Sequence, residues 1–319
     1  MFPDRCPHLG ASLSQGSVSN GNLVCPFHGF EFSASGDCQH IPANGTLGKI
    51  PAGMNCVRFE CIESAGFIWA WVGEKPSTGA PAYFSEIADG FQIADMAIDA
   101  RVNYSRAIEN QLDAAHLPFV HKSTIGSGGK SFVDGPYIES VHNGLNSWVF
   151  NRVDSNEPHQ PISELQKLSH QRPPSLQLRY PAQWLLNISD HLKNFIAFVP
   201  VNENTTRFYL RTCHKVKLPI ASYLYGLLLQ LMNKIILQQD LNVISHVKPC
   251  FSLDSSSDRF IGADRAIVIY RRWLASNAAD FNPDSTTRQM TKIAAVSADG
   301  SSSDPLTFQP PATGRQDGN

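Results

Sequence analysis

Along residues 1–72, apolar residues come in short runs broken by Gly, Pro and Ser, and the closing run Ala65-Gly-Phe-Ile-Trp-Ala-Trp-Val-Gly73 alternates large apolar residues. Short runs bounded by turn residues predict strands, so this part reads as a small all-β domain. Glu74-Lys-Pro-Ser-Thr-Gly-Ala-Pro81 has the composition of a linker. From about residue 92, strand-like runs at 96–104, 137–150, 176–189, 192–201 and 206–216 alternate with helical segments near 107–117 and 222–246. A third helix begins near Ala263 and carries Tyr270-Arg-Arg-Trp-Leu274. Between Ser222 and His246, Ser222, Gly226, Gln230, Asn233/Lys234 and Gln238 recur every three to four residues among Leu, Ile, Tyr and Met. That spacing predicts a helix with one narrow polar stripe and the remainder buried. Residues 280–319, rich in Ser, Asp, Pro, Gly and Thr, read as a disordered tail. The expected organisation is therefore 1–80, 81–279 and 280–319.

Candidate chemistry is concentrated in two places. The first is Cys6-Pro7-His8 followed, after sixteen residues, by Cys25-Pro26-Phe27-His28. Two thiolates and two imidazoles from two short loops are the ligand set of a Rieske [2Fe–2S] centre. The flanking Gly and Pro residues predict tight turns around the ligands. A Cys2His2 zinc site is the alternative, but zinc fingers usually pair cysteine with cysteine and histidine with histidine. Here each pair is mixed.

The second is Glu109-Asn-Gln-Leu-Asp-Ala-Ala-His-Leu-Pro-Phe-Val-His121, which contains Asn110, Asp113, His116 and His121. Asp113 and His116 are three apart and are expected to share a helical face. His116 and His121 are five apart, so a distortion at Pro118 is needed for the rings to converge. Two histidines and one distant carboxylate would make the facial triad of a non-haem Fe(II) oxygenase.

Together these motifs resemble the Rieske non-haem iron oxygenases, in particular their catalytic α-subunits, over residues 1 to about 275. Ala11 and Phe27 stand where the bc-complex branch carries a second pair of cysteines, so the likeness is to the oxygenase and ferredoxin branch. The resemblance implies an α+β fold: an all-β Rieske domain, then a helix-grip catalytic domain with an antiparallel sheet around a long helix. It implies Cys6, His8, Cys25 and His28 as cluster ligands, and His116 and His121 as iron ligands. The third ligand is an acid on a late helix, a place that Asp240 fills; Asp254 and Asp258, in a Ser-rich loop, are weaker candidates. An unpaired acid on so apolar a helix would be costly, and a metal offsets that cost.

The activity implied is O2 activation at a mononuclear Fe(II), with electrons from NAD(P)H passing through a reductase, sometimes with a ferredoxin, into the cluster. The implied assembly is a homotrimer in which a carboxylate bridges the two metal sites across subunits, the motif position of Asp113. The product could be a hydroxyl, a cis-diol or a demethylated heteroatom on an apolar or aromatic small molecule. The C-terminal Tyr-Arg-Arg-Trp-Leu looks closer to single-subunit monooxygenases. Relatives carry several dozen residues before the first cluster cysteine, so the Rieske domain is expected to be incomplete at its N-terminus. An electron carrier or inactive binding protein of the same ancestry is the competing class, and it would not need His116, His121 and Asp240.

Composition narrows little further. With 319 residues, 42% of them hydrophobic, the chain can build two cores. A net charge of −2 gives no nucleic-acid signature. The most apolar stretch, 218–237, is interrupted by Gln230, Asn233 and Lys234, which argues for a buried helix over a membrane span. No secretory signal is visible, and seven cysteines without a regular framework suit a reducing cytoplasm.

Overall fold

The structure, a computed structural model, describes residues 1–71, 81 and 83–281. All but Pro81 of the linker expected at 74–81, and the tail beyond 281, lie outside the described residues. Two compact units emerge, one built on Met1–Ile62 and Ile68–Ser77, the other on Glu63–Phe67 and Thr78–Ser285.

The first unit carries a four-stranded antiparallel meander, β1 (Ser17–Ser19), β2 (Asn22–Val24), β3 (Glu31–Phe32) and β4 (Cys38–His40). A hairpin of β5 (Cys61–Ser64) and β6 (Phe67–Ala70) follows. Its small core gathers Leu13, Phe30, Phe32 and Ile41 with Cys6, Cys25, Cys38 and Cys56.

The second unit is a seven-stranded antiparallel sheet in the order β7-β13-β12-β11-β10-β9-β8. The strands are β7 (Gln92–Ala100), β8 (Phe132–Val141), β9 (Gly144–Arg152), β10 (Leu176–Arg179), β11 (Gln183–Ser189), β12 (Leu192–Asn202) and β13 (Thr205–His214). The expected strand at 137–150 is two strands, because His142 and Asn143 make a turn with Asn143 at φ 57°. The run at 176–189 likewise divides into β10 and β11. Leu145, Leu178, Trp184, Ile196, Phe198, Phe208 and Leu210 project from one face into the main core. Helices α1 (Tyr104–Leu112), α4 (Pro219–Ile244) and α5 (Arg265–Phe281) contribute Ile108, Leu237 and Tyr270 to that core. Leu185, Phe195 and Cys213 point the other way and are covered by Phe84 and Ile87.

Helix α1 starts earlier than the sequence suggests because Asn103 caps it, its Oδ1 accepting from the Ser105 N–H at 2.9 Å. It also stops earlier. Asp113 is its C-cap in extended conformation, so Asp113 and His116 do not lie on one helix. A separate four-residue helix, α2 (Leu117–Val120), follows, and Pro118 sits in its first turn. Proline therefore starts a helix here and does not kink one. An eight-residue α3 (Ile162–Ser169) packs against β8.

Helix α4 corrects the expectation of a buried helix with an exposed polar stripe. Its buried residues are Gly226, Asn233, Leu237, Asp240 and Ile244, whereas Ile220 is 78% exposed and Leu231 56%. The helix is inside out over most of its length. Asn233 donates to Thr212 Oγ1 at 2.7 Å and accepts from Asn194, and Gln230 donates to the Asp95 carbonyl at 2.8 Å. Gly226 lets the backbone approach β7 closely, since a Cβ there would lie 3.2 Å from the Ala94 methyl. Polar partners on the sheet attract the polar stripe inward, and the leucines are left outside.

A buried ion network ties α1 to α5. Glu109 accepts from Arg106 at 2.9 Å and from Arg271 at 2.5 Å, and Asp258 binds the same two arginines at 3.1 and 2.7 Å. Burial opposes ionisation of Asp258, but Ser255, Arg271 and Arg106 outweigh it and hold its carboxyl at about 2. Replacing Glu109 by Leu leaves the two guanidinium groups with only the half-buried Asp258 carboxylate between them and removes the buried one. Glu109→Leu is expected to lower stability by about 3 kcal/mol, and Asp258→Asn by less, because Asp258 is more exposed. Urea denaturation measures both, and an unchanged midpoint for Glu109→Leu would show that the network adds nothing net.

Candidate metal centres

In the first unit, two matching turns present the Cys/His pairs. The Cys6 N–H donates to the Ala11 carbonyl at 2.7 Å and Gly10 N–H to Cys6 at 2.9 Å. The second turn repeats this, Cys25 to Phe30 at 2.8 Å and Gly29 to Cys25 at 3.0 Å. Gly10 and Gly29 close the turns at φ 79° and 71°, a region that side-chain-bearing residues rarely adopt. Cys6 and Cys25 are buried, and the His8 and His28 rings come within 4.8 Å of each other. Phe30 lies flat on His8 at 4.6 Å, which fixes that ring.

This donor set fits a metal cluster. His8 Nδ1 is buried without a hydrogen-bond partner. Burial and the neighbouring Cys25 thiol both push Cys6 up, so a cation is needed to hold the pair as thiolates. Cys38 and Cys56 belong to the same core, and burial pushes Cys56 up to about 12. They are neutral packing groups.

In the second unit, His116 caps the start of α2 and His121 follows its end, so one short turn brings both rings to a 5.2 Å separation. Asp240 reaches them from α4. Its Oδ1 lies 3.0 Å from His121 Nε2 and 3.5 Å from His116 Nε2, and the three possible donor atoms all lie within 4.8 Å of one another. Two donors at right angles on a metal, each at roughly 2.1 Å, are separated by roughly 3 Å, so the group has the span of a three-sided metal site. Asp240 Oδ1 is buried with no donor aligned on it. Asp254 and Asp258 are not part of this group.

The surrounding residues set the tautomers. His121 Nδ1 is 2.8 Å from Gln239 Oε1, an acceptor, so Nδ1 carries the proton and Nε2 offers its lone pair to the centre. Gln239 Oε1 also accepts from Thr124 Oγ1 at 2.9 Å, and Gln239 Nε2 donates to Ser123 Oγ at 3.3 Å. Ser123 and Thr124, just after His121, are thus tied to α4. His116 Nδ1 faces Asp113 Oδ2 at 3.5 Å. Asp113 Oδ1 accepts the Ala115 N–H at 2.7 Å. Burial opposes ionisation of Asp113, but His116 and the backbone N–H groups outweigh it and keep the carboxyl below its ordinary range. Burial likewise pushes His121 down, but Asp240 and Gln239 more than reverse this, so its affinity for a proton is raised. A proton on His121 and a metal ion are alternative cations for Asp240.

Two further residues at the centre were not singled out from sequence. Gln239, adjacent to Asp240, orients His121, and Gln111 donates to Asp240 Oδ2 at 3.4 Å. Asn110, part of the sequence motif, has a buried Nδ2 without a hydrogen-bond partner. A groove of about 460 Å³ lined by Arg101, Asn103, Arg106, Ile244, Lys248 and Cys250 contains none of the metal-site residues.

Comparison with known proteins places both units. Residues 1–51 match the Rieske [2Fe-2S] domain, and residues 100–280 match the vanillate O-demethylase oxygenase C-terminal domain. Chlorophyllide a oxygenase of Chlamydomonas reinhardtii is 36% identical over 126 residues, 39% of this chain and 19% of that protein. Dicamba O-demethylase, oxygenase component, of Stenotrophomonas maltophilia is 33% identical over 123 residues, 38% of this chain and 36% of that protein. The aligned segments thus span well under half of these relatives. Among solved structures, Pseudomonas putida CBB5 NdmA superposes with a TM-score of 0.66 at 21% identity, covering 93% of this chain and 81% of that one. Dicamba monooxygenase bound to dicamba gives 0.65 at 18% identity, covering 86% and 85%. The fold is shared with both. With a Rieske domain followed by a catalytic domain of the vanillate demethylase type, the chain belongs to the Rieske oxygenase family.

Proposed function

We propose that this chain is the oxygenase component of a multicomponent system that hydroxylates, or oxidatively demethylates, an apolar or aromatic small molecule. The observation that carries this reading is the buried convergence of His116, His121 and Asp240 in a chain that also has a Rieske domain. An electron carrier has no use for such a group. In this reading Cys6, His8, Cys25 and His28 hold the [2Fe–2S] cluster, and His116, His121 and Asp240 hold Fe(II). The cluster supplies single electrons, and the iron supplies open positions for O2. Electrons come from NAD(P)H through a separate reductase or ferredoxin, in keeping with relatives named as oxygenase components and subunits. The assembly is a homotrimer.

The chain's own residues have distinct parts. Gln239 holds the proton on His121 Nδ1, so that Nε2 remains free as a donor. Asp113 faces the Nδ1 edge of His116 and is itself held by the Ala115 N–H. Asp240 is the anionic ligand, and Gln111 steadies its second oxygen.

Metal analysis of the full-length protein should give three irons and two acid-labile sulfides per chain; stoichiometric zinc without sulfide would sink the assignment. His116→Ala, His121→Ala and Asp240→Ala should each lose the mononuclear iron and keep the Rieske absorbance. If Asp240→Ala keeps its iron while Asp254→Ala loses it, the third ligand has been misassigned.

Asp113→Asn should retain both metals yet slow turnover about 10- to 100-fold, because it removes the charge facing His116 and not a ligand. Single-turnover spectroscopy should then show a cluster that stays reduced when O2 and substrate are added. Normal reoxidation would make Asp113 a bystander.

Gln239→Leu frees His121 Nδ1 from its acceptor and should weaken iron binding by about 10- to 100-fold, with Gln239→Glu restoring much of it. Competition with a chelator of known affinity reads this directly. Equal affinity in the wild type and Gln239→Leu would show that the contact is incidental.

A further inference from the structure

Helix α4 is long and apolar enough to cross a membrane by length and composition, with a mean hydropathy of 1.4 over its most apolar window and only 17% of that window buried. Its inner face is fastened to the sheet through Gly226, Gln230 and Asn233, so the helix cannot leave the unit to span anything. What it offers is its outer face. Ile220, Leu224, Leu227, Leu228, Leu231 and Ile235 are all exposed and recur at helical spacing. They form one stripe roughly 23 Å long, from a rise of about 1.5 Å per residue.

From residue 215 to 239 the charges have one sign. Lys215 and Lys217 precede the helix and Lys234 flanks the stripe, all three exposed, and no Asp or Glu occurs from residue 215 to 239. The acids of the adjoining strand β7 are paired, Asp95 with Arg211 and Asp99 with Arg207. Tyr223, 67% exposed, adds an aromatic ring with a polar tip, a side chain suited to the lipid–water boundary. An apolar stripe rimmed by lysines complements a bilayer carrying anionic headgroups.

Other occupants fit less well. Antiparallel pairing of two α4 helices centred on the stripe would place Lys234 of one copy opposite residue 221 of the other, about one turn from its Lys217, with no carboxylate between them. Parallel pairing would stack each lysine on its counterpart. Residues 282–319 are dominated by Ser, Asp, Gly, Pro and Thr and supply few apolar side chains with which to cover the stripe.

We propose that the outer face of α4 is a docking surface for an anionic lipid bilayer, with the helix lying in the plane of the interface. The inference concerns the outer face alone and does not rest on the metal assignments. Cluster-loaded full-length protein should float with phosphatidylcholine vesicles containing phosphatidylglycerol, and far less with phosphatidylcholine alone. Leu224→Gln combined with Leu231→Gln should weaken binding at least about tenfold, since both side chains would lose their place in the acyl layer. Lys215→Glu combined with Lys217→Glu should weaken it about fivefold or more for each lysine, and added salt should mimic that loss. All four positions are exposed, and unchanged circular dichroism and cluster absorbance would certify the fold. Absence of flotation with anionic vesicles, or flotation unaffected by either double variant, would overturn the proposal. Sedimentation equilibrium adds a further decisive outcome. A mass that falls in the glutamine variant, without vesicle binding by the wild type, would assign the face to a second protein chain.

Discussion

Burying an ionised carboxylate costs several kcal/mol unless it is paired, and Asp240 is only 3% exposed. Much of the catalytic unit is arranged to meet that cost. Two imidazoles approach one of its oxygens and Gln111 the other. Because Asp240 must point inward from a helix, the residues on its side of α4 are also turned inward. Asn233 and Gln230 then need partners, and the sheet provides them through Asn194, Thr212 and the Asp95 carbonyl. The outward position of the leucines follows from this. With Asp240 and the polar stripe on the inner face, the opposite face of α4 is left outside this unit.

The sequence was most legible where chemistry depends on residue type and short spacing. Cys6, His8, Cys25 and His28 stand out because two mixed Cys/His pairs in Gly/Pro-rich turns suit few other uses, and the turns are present as expected. His116 and His121 were legible as a pair, but not the way they meet. The helix expected to run to about 117 ends at Asp113, because that residue takes an extended conformation, and a separate helix starts at Leu117. Local propensity does not reveal such a break when apolar residues continue on both sides of it.

The orientation of α4 was misread for a different reason. A polar stripe on an apolar helix normally faces water, so periodicity alone predicts the wrong face when the stripe has partners inside. Asn233 and Asp240 carried the contrary signal, since both would be costly or pointless on an interior face without a partner or a metal. Nothing about a glutamine beside an aspartate announces a hydrogen bond to a histidine 118 positions away, so the part of Gln239 is visible only in the fold. Asp258 was weighed as a possible ligand, yet two arginines from α1 and α5 claim it. Long-range pairings of this kind are set by topology and are not written in any one segment.

The two units differ in how much their own cores can stabilise them. Among the described residues the first has a core of eight buried residues, four of them cysteines, around a meander of strands no longer than three residues. So small an apolar core gives little stability by itself, and ligand binding in such a unit is also folding free energy. The second unit has a much larger core spanning the sheet, α1, α4 and α5, and the buried Glu109 network fastens two of those helices without any metal. Its two histidines flank a short helix, and the segment leading into that helix is held to β9 by Asn151, which donates to the Ala114 carbonyl at 2.8 Å. The group His116, His121 and Asp240 therefore rests on a core that needs no metal, whereas the turns carrying Cys6, His8, Cys25 and His28 rest on a core too small to contribute much stability by itself.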